Sequence, residues 1–369
     1  MLITGPHCPR LRVLHSRGTG VPVKVLISGA SVAGPALAFF LHRDGHEVTV
    51  VERARSLRDS GYAVDFRGAA FEVLEEMGIL EEVRAHATGM RGTDLVDADG
   101  KRTGELPAET FAGELEVPKR ELTRILHAHT ADAARYVFDD SINHMEQDAR
   151  GVRVGFERGE PDTFDLVIGA DGIYSVVRRL VFGPHSAVTR HLGLSGVGFS
   201  TANHLGLDHR GVLQQLPGRA VYLFSSADSH RMSVSLSFAS DSAELDLLGR
   251  VEQERIVRDR MADAGWLVPR LLEDMAAASD FYFSSACQIE LDRWSEGRVA
   301  LVGDAGYCAA PTSGMGTSQA LIGARTLARR LAEADGDHTK AFAAYEQELR
   351  PYVTRNQEIG REGALRFGA

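Results

Sequence analysis

A glycine-rich turn between two apolar strands is the feature that most constrains how this chain folds. Residues 23–28 (VKVLIS) and 47–51 (EVTVV) have the apolar pattern of buried strands, and residues 33–44 between them have helical periodicity. The first strand runs into Gly29-Ala30-Ser31-Val32-Ala33-Gly34, which is the GxGxxG pattern with serine in place of the middle glycine. Strand, glycine-rich turn, helix and strand in this order predict a βαβ unit at the start of the chain.

The same turn predicts a binding site for a phosphate-containing ligand. Glycines allow the backbone to approach phosphate closely, and the helix N-terminus behind them offers free N–H groups and a partial positive charge. Ser31 adds little bulk, and its hydroxyl can donate to phosphate. Glu52 stands 18 residues after Gly34 at the end of the second strand, where a carboxylate accepts hydrogen bonds from ribose hydroxyls. The turn by itself would also suit a strand–helix connection that binds nothing.

Two later segments repeat the arrangement of a buried strand followed by glycine and aspartate. Residues 163–168 (TFDLVI) lead into Gly169-Ala170-Asp171-Gly172, and residues 298–302 lead into Gly303-Asp304-Ala305. The latter continues through Pro311-Thr312-Ser313-Gly314-Met315-Gly316 into a predicted helix over residues 317–333. Both segments place an aspartate at the carboxyl end of a strand, where open α/β sheets bind ligands, although an aspartate that only caps a helix gives the same pattern.

Composition opposes several classes of partner and cofactor. The formal net charge of −10 argues against a nucleic-acid or anionic-membrane partner, because either would require a basic surface. The three cysteines, Cys8, Cys287 and Cys308, form no CxxC pair, so we expect no disulfide framework, no metal site and a cytoplasmic setting. No apolar run suits a transmembrane helix. Residues 1–22 lack the apolar stretch of a secretory signal, and we expect them to be an irregular extension.

The middle of the chain has a different pattern from its two ends. Between residues 186 and 240, alternating stretches such as 220–225 (AVYLFS) and 231–239 (RMSVSLSFA) predict antiparallel strands. Residues 250–277 have a helical pattern, and a final helix is predicted over residues 338–350. The first and last thirds of the chain therefore indicate an α/β fold into which a β-rich layer is inserted.

The three motifs, in this order and spacing, resemble the family of FAD-dependent monooxygenases that includes aromatic hydroxylases and polyketide-tailoring hydroxylases. The resemblance covers about residues 23–350, and the stretches 61–68 and 308–316 are most similar to the branch with tetracycline-inactivating monooxygenases. It implies a Rossmann-like FAD-binding domain (residues 23–185 and 281–335), a substrate domain built on a mostly antiparallel β-sheet (186–280) and a C-terminal helix (336–369).

The resemblance also implies which residues bind the cofactor. Gly29, Ser31 and Gly34 would receive the FAD diphosphate, and Glu52 with Arg53 would lie at the adenosine ribose. Asp304 would hold the ribityl chain. The segment Gly314, Met315 and Gly316 would face the isoalloxazine ring. Further positions that the resemblance places at the cofactor are Asp65, Arg120 and Asp171, with Arg58 as a possible NAD(P)H contact.

The implied activity is hydroxylation, or another oxygenation, of a bulky aromatic or polyketide-like small molecule. Tightly but noncovalently bound FAD would be reduced by NADPH or NADH and would react with O₂ to the C4a-hydroperoxide, so no catalytic side chain is expected. The substrate would bind against the sheet of residues 186–240, whose candidate lining side chains are Phe199, Gln214, Gln215, Leu216, Tyr222, Phe224, Arg231 and Phe238. We expect a monomer or a weak homodimer.

Three other classes of flavoprotein share part of this pattern. A flavin-dependent halogenase resembles a family with a WxWxIP signature, and here Trp266 and Trp294 stand apart. An FAD-linked oxidase or dehydrogenase would use the same cofactor without inserting oxygen. A noncatalytic protein that retains FAD is the third alternative. A plain NAD-binding Rossmann protein is disfavoured, because it has no need of the third motif.

Overall fold

The computed structural model describes residues 22–57, 63–226 and 230–366. Its strands, in chain order, are β1 (Lys24–Ser28), β2 (Glu47–Glu52), β3 (Ala63–Phe66), β4 (Thr93–Val96), β5 (Arg102–Leu106), β6 (Leu115–Pro118), β7 (Arg135–Phe138), β8 (Ile142–Gln147), β9 (Val152–Phe156), β10 (Asp162–Phe164), β11 (Leu166–Gly169), β12 (Thr189–Ala202), β13 (Arg210–Leu216), β14 (Arg219–Ser225), β15 (Arg231–Ala239), β16 (Tyr282–Ile289), β17 (Ser295–Glu296) and β18 (Val299–Leu301).

The helices, in the same order, are α1 (Ala33–Arg43), α2 (Ala70–Glu76), α3 (Leu80–Arg84), α4 (Glu109–Ala112), α5 (Lys119–Ala128), α6 (Val176–Phe182), α7 (His185–Val188), α8 (Arg250–Met261), α9 (Val268–Ala277), α10 (Asp304–Tyr307), α11 (Gly316–Glu333) and α12 (His338–Arg366). Short 3-10 helices occur at Ala243–Leu247 and Pro311–Ser313. Within the described part of the chain, none of these helices has the length and apolar character needed to span a bilayer.

A six-stranded, mainly parallel sheet carries the three glycine-rich turns at one edge. Its strand order is β17-β18-β11-β1-β2-β7, in which β18, β11, β1, β2 and β7 run parallel and β17 pairs antiparallel at the end. The apolar runs in β1, β11 and β18 are buried, as strands covered on both faces require. Because parallel strands end at the same edge, the turns that follow β1, β11 and β18 become neighbours. The predicted βαβ unit and the α/β class are confirmed.

A seven-stranded sheet forms the second layer. Its order is β16-β12-β15-β14-β13-β4-β5, and its pairs are antiparallel except for β13 with β4. Alternate residues along β15 are buried, and helices α8 and α9 pack on one face over Val197, Leu236 and Phe238. The sheet takes β4, β5 and β16 from outside residues 186–280, and the predicted division into domains stays a prediction.

Two predicted elements differ from those observed. The single strand predicted over residues 163–168 is two strands, because Asp165 accepts a hydrogen bond from the Lys24 amide (2.7 Å), and the chain passes from the β10–β9 pair into the parallel sheet. The helix predicted to end at residue 350 continues through Pro351 to Arg366. Proline inside a helix costs about 3 kcal/mol. Buried contacts beyond it favour the continued helix, including Asn356 Nδ2 to Gln319 Oε1 at 2.9 Å.

We predict that Gly34→Ala lowers the free energy of unfolding by about 3 kcal/mol, because the added Cβ would lie 1.9 Å from the Gly29 carbonyl oxygen. Urea denaturation of the apoprotein measures the change. The control is Gly198→Ala, since the nearest atom to its added Cβ is 3.9 Å away, and the expected effect is a gain of up to about 1 kcal/mol. Equal stability of Gly34→Ala and the wild-type chain would contradict the close packing of this turn.

Candidate active site

The three glycine-rich turns contact one another closely at positions that glycine occupies. Gly29 has a φ of +109°, and a Cβ there would lie 2.4 Å from the carbonyl oxygen of Ala170 in the second turn. Gly303 in the third turn has a φ of +66°, and its Cβ would lie 3.3 Å from Cβ of Ala33 at the start of α1. The predicted phosphate-binding turn therefore contacts both aspartate-containing turns.

Glu52 fixes the shape of the first turn. Its carboxylate accepts hydrogen bonds from the amides of Ala30 and Ala54, each at 2.9 Å. A carboxylate oxygen retains further lone pairs, so these bonds leave acceptor capacity for a ribose hydroxyl. Ser31 is partly buried in the turn, and Arg53 is exposed beside Glu52. Both remain next to the predicted nucleotide position.

Asp171 makes its contacts within the protein. Its carboxylate accepts hydrogen bonds from Ser175 Oγ at 2.5 Å and from the Val176 amide at 2.8 Å, so it caps the start of α6. Burial raises the pKa of the Asp171 carboxyl, and the bonds from Ser175, Val176 and Val177 oppose that shift. The structure thus gives Asp171 a capping role, and its predicted contact with a nucleotide stays a prediction.

Arg178 joins the second turn to the third, a role that the sequence did not reveal. The side chain is 1% exposed, and its guanidinium donates to the carbonyl oxygens of Ala305 (2.7 Å) and Ile173 (2.5 Å). Burial lowers the pKa of Arg178, and the charges of Asp171 and Asp304 oppose that shift. The only sequence signal was an arginine three residues after the capping Ser175.

Asp304 lies against the glycine-rich start of α11. A Cβ on Gly316 would lie 3.9 Å from Asp304 Oδ1, and the Met315 amide donates to Ser313 Oγ at 3.1 Å. Burial raises the pKa of Asp304, and the charge of Lys119 is the largest of the opposing influences. The structure therefore brings together Asp304 and the predicted ring-facing segment Gly314, Met315 and Gly316.

The two basic residues at the start of α5 differ in their surroundings. Arg120, the predicted cofactor contact, has a side chain that is 55% exposed, with Nε 3.0 Å from Glu121 Oε1. Its neighbour Lys119 is close enough to Asp304 to affect the pKa of that carboxyl. The sequence does not distinguish Lys119 from Arg120 as the neighbour of Asp304, because both are basic residues at the start of the same helix. Arg58 lies outside the described residues.

Asp65 approaches the same segment from the β3–β6 pair. A Cβ on Gly314 would lie 3.1 Å from Asp65 Oδ2, and Arg67 Nε donates to that oxygen at 2.8 Å. Glu116 stands opposite Asp65 in the strand register and accepts from Thr88 Oγ1 at 2.7 Å. Burial raises the pKa of both carboxyls. Arg67 opposes the shift at Asp65, whereas the charge of Asp65 adds to the shift at Glu116.

The second half of α12 holds the loop that precedes Gly314. Thr312 Oγ1 donates to the Gly360 carbonyl oxygen at 2.7 Å, and buried Gln288 donates to the Ala309 carbonyl oxygen at 3.1 Å. Gly360 has no room for a side chain, because its Cβ would lie 2.0 Å from the Ala309 carbonyl oxygen. The predicted ring-facing segment is therefore supported by a helix that the sequence predicted to end earlier.

Two long helices begin at this edge without side-chain caps. Neither α1 nor α11 has a side-chain cap hydrogen bond or an acidic residue in its first turn. Their first amides and partial positive charges are therefore suited to anionic or electron-rich groups. One helix start lies at the GxGxxG-like turn and the other beside Asp304, so the donor set fits a long ligand with a diphosphate and a polar ring. FAD is such a ligand.

Comparison with known proteins supports that fit. Residues 22–358 match the family described as FAD binding domain. An uncharacterized protein of Mycobacterium tuberculosis is 42% identical over 339 residues, which cover 90% of this chain and 91% of that protein. A flavin-dependent monooxygenase of Legionella longbeachae is 36% identical over 342 residues, which cover 92% and 88%. The crystal structure of tetracycline destructase Tet(55) is similar with a TM-score of 0.86 and 37% identity, over 93% of this chain and 89% of that chain.

The chain belongs to the FAD-binding family of flavin-dependent monooxygenases. The predicted family, its relation to tetracycline-inactivating and polyketide-tailoring enzymes, and the enzyme class are thereby confirmed.

We predict that Glu116→Gln gains stability relative to the wild-type chain as the pH rises. Burial raises the pKa of folded Glu116, so the folded state binds more protons than the unfolded state between the two pKa values. The wild-type chain therefore loses stability as the pH rises from the unfolded pKa of about 4.3 toward the folded value. Urea denaturation of both apoproteins at pH values from about 4.5, near the unfolded pKa, to about 8 measures the difference in the free energy of unfolding.

Glu109→Gln, a change at an exposed glutamate of α4, is the control for that series. Its stability curve should run parallel to that of the wild-type chain. A constant difference between Glu116→Gln and wild type over the whole series would show that burial does not disfavour the Glu116 carboxylate.

Proposed function

We propose that this protein uses NADPH or NADH and O₂ to hydroxylate or otherwise oxygenate a bulky aromatic or polyketide-like small molecule. The observation that carries the proposal is the contact of three glycine-rich turns at one edge of the parallel sheet, where two uncapped helices begin. Bound FAD would supply the redox chemistry with O₂. The protein then has to bind and orient the substrate, exclude water and hold polar groups in fixed positions.

The first turn would bind the nucleotide half of the cofactor. Gly29, Ser31 and Gly34 bring the backbone and the start of α1 to the diphosphate, which the partial positive charge of that helix would stabilise. Glu52, which already orders this turn, would accept from the adenosine ribose, with Arg53 beside it. The short distances from an added Cβ at Gly29 and Gly34 to neighbouring backbone support the use of glycine in a turn where backbone approaches the diphosphate.

The third turn would bind the flavin half. Asp304 would accept from ribityl hydroxyls, and Lys119 would balance its charge. The start of α11 at Gly314, Met315 and Gly316 would direct amides at the ring. Asp65 would face the ring from the opposite side of Gly314, and Asp171 and Arg178 would hold the second and third turns together. Arg120 and Arg58 remain proposed contacts of the FAD and of NAD(P)H.

One face of the antiparallel sheet suits a ring-shaped substrate. Phe199 and Phe238, which the sequence included among lining candidates, are buried on the face covered by α8 and α9. Tyr222 and Phe224 are only partly buried, and their rings stack with centroids 5.3 Å apart. The Tyr222 ring also lies 4.8 Å from that of Phe111. Burial raises the pKa of Tyr222 and the charge of Glu116 adds to that shift, which is consistent with an aromatic face near Glu116, the strand partner of Asp65.

The relatives support a polyketide-like substrate class. Tet(55) is named a tetracycline destructase, and a relative from Sarocladium schorii that is 30% identical to this chain is named an FAD-dependent monooxygenase. A multi-ring compound with polar edges would use both the aromatic face and the buried carboxyls beside it. We therefore propose a planar, oxygen-rich ring system as the substrate.

The direct test incubates the protein with FAD, NADPH or NADH, O₂ and a panel of polyketide and phenolic compounds. We expect the product to gain one oxygen atom by mass spectrometry, with the label transferred from ¹⁸O₂. A product that has only lost hydrogen would indicate an oxidase or dehydrogenase instead. Absence of NAD(P)H oxidation with every compound would indicate a noncatalytic FAD-binding protein.

We also predict that Asp304→Ala purifies without a yellow colour, because it removes the acceptor for the ribityl chain. Flavin absorbance per polypeptide measures the loss. Asp274→Ala is the matched control: Asp274 accepts from Thr201 and His204 in the second layer, and its variant should retain the flavin. A full flavin spectrum in Asp304→Ala would contradict the assigned ribityl contact.

A further inference from the structure

Three buried serine hydroxyls connect two ionisable side chains in the second layer. Ser195 in β12, Ser240 after β15 and Ser285 in β16 are at most 4% exposed. Ser195 Oγ lies 2.6 Å from Ser240 Oγ and 2.7 Å from Ser285 Oγ. At one end Ser285 Oγ donates to Asp246 Oδ1 at 2.6 Å, and at the other Ser240 Oγ lies 3.4 Å from His191 Nε2. These five residues form a continuous hydrogen-bonded chain.

The hydrogen-bonded chain of side chains needs one more proton than the three serine hydroxyls provide. Four hydrogen bonds link the five side chains, and each serine hydroxyl carries a single proton. The fourth proton must come from one end, either from His191 Nε2 or from Asp246 Oδ1. In the first case all three hydroxyls point toward Asp246, and in the second all three point toward His191.

The neighbours of the two ends favour the first arrangement. Tyr174 Oη and the Ser285 amide (3.0 Å) both donate to Asp246 Oδ2, so with Ser285 Oγ three donors surround an ionised carboxylate. The Gly193 amide lies 3.3 Å from His191 Nδ1, which therefore acts as an acceptor. The resting tautomer of His191 then carries its proton on Nε2.

The charges around the two ends are consistent with this assignment. Burial lowers the pKa of His191, which favours the neutral ring, while the Leu194 backbone and the charges of Asp246 and Asp241 oppose the shift. Burial and the Asp246 carboxylate raise the pKa of Tyr174, so Tyr174 keeps the proton that it donates. His185 and Cys287 also lie within range of the Asp246 charge.

The Asp246 end lies beside the second turn. Its donor Tyr174 comes two residues after Gly172, and the Tyr174 ring lies 5.0 Å from the ring of His185, whose Nδ1 is 2.8 Å from Arg178 Nη2. The charges of both Asp246 and Asp304 raise the pKa of Tyr282, whose largest influence is burial, so this phenol lies within range of both carboxyls. Tyr174 and Tyr282 are 38% and 47% exposed, so the Asp246 end is not sealed inside the sheet.

We propose that His191, Ser240, Ser195, Ser285 and Asp246 form a proton relay that passes protons between solvent at His191 and the Asp246 carboxylate beside the second turn. The effect of the relay on turnover rests on the proposed function, whereas the relay itself does not. All five are positioning residues here, since none of them is assigned a contact with substrate.

One passage along the relay conserves protons and charge. A solvent proton binds His191 Nδ1 while the Nε2 proton moves to Ser240 Oγ. Ser240 passes its own proton to Ser195, Ser195 passes one to Ser285, and Ser285 passes one to Asp246 Oδ1. The carboxylate becomes neutral and the ring changes tautomer. The reverse passage returns the proton from Asp246 Oδ1 to Ser285 and, at the other end, from His191 Nδ1 to solvent, which restores both ends.

Asp246→Asn tests the relay because it fixes the second arrangement. The amide oxygen is held at the Oδ2 position by two donors, Tyr174 Oη and the Ser285 amide, so the NH₂ group faces Ser285 Oγ. All three hydroxyls then point toward His191, whose Nε2 becomes the acceptor. We expect ¹⁵N NMR of the histidine-labelled apoprotein to show the His191 proton on Nδ1 instead of Nε2. The signals are assigned by comparison with His191→Gln.

A second set of variants, at Ser195, distinguishes the relay from a direct effect of the lost Asp246 charge on His191. Ser195→Ala interrupts the hydrogen-bonded chain of side chains. In that variant we expect Asp246→Asn to leave the His191 tautomer unchanged even though the negative charge is lost. Ser195→Thr keeps a hydroxyl and should restore the response. Ser225→Ala is the matched control. Ser225 is a sheet serine that is 2% exposed and donates to the Arg231 carbonyl oxygen, and it does not belong to the hydrogen-bonded chain of the relay. The response should persist there.

An identical response of His191 in the Ser195 and Ser195→Ala backgrounds, or no response in either, would overturn the relay. Both measurements use apoprotein, so a failure to bind FAD or to oxygenate a substrate would leave them intact. Where the proposed activity is found, Ser195→Ala should shift the pH profile of turnover and Ser225→Ala should not. An unchanged profile in Ser195→Ala would overturn the effect of the relay on turnover.

Discussion

The candidate site depends on the close approach of chain segments at glycine positions in the three turns. Gly34 lies against Gly29, Gly29 lies against Ala170, and Gly303 lies against Ala33. These contacts are possible because β1, β11 and β18 are parallel neighbours whose turns emerge at one edge. The same contacts set the starting points of α1 and α11, and therefore the position of the uncapped amides that make the edge suitable for an anionic, elongated cofactor.

Buried charge is concentrated around this edge and is compensated by residues that come from other elements. The carboxyls of Asp65, Asp171 and Asp304 all have a pKa raised by burial, and each has a cation or hydrogen-bond donor that opposes the shift. Clusters of such perturbed groups are typical of functional sites. Arg178 has a further role, since its guanidinium binds backbone carbonyls of the second and third turns and so couples their positions.

Local patterns in the sequence predicted the βαβ unit, the three turns and the antiparallel middle, because strand and helix periodicity and glycine positions are short-range signals. Long-range contacts decided the rest. The strand break at Asp165 depends on Lys24, the continuation of α12 past Pro351 depends on contacts with distant loops, and the choice between Lys119 and Arg120 depends on side-chain direction. The contacts of Glu116 and those of the serine relay likewise join residues that lie far apart in the polypeptide. No spacing in the sequence identifies these contacts.

We propose that one extended flavin nucleotide spans the three turns, and a crystal structure of the protein bound to FAD would test this placement. We expect electron density for the diphosphate at the start of α1 between Gly29 and Gly34, for the ribityl chain at Asp304 and for the ring at Gly314 to Gly316. Density for FAD at any other surface of the molecule, or displacement of the turns from one another in the complex, would show that the three turns do not form the cofactor site.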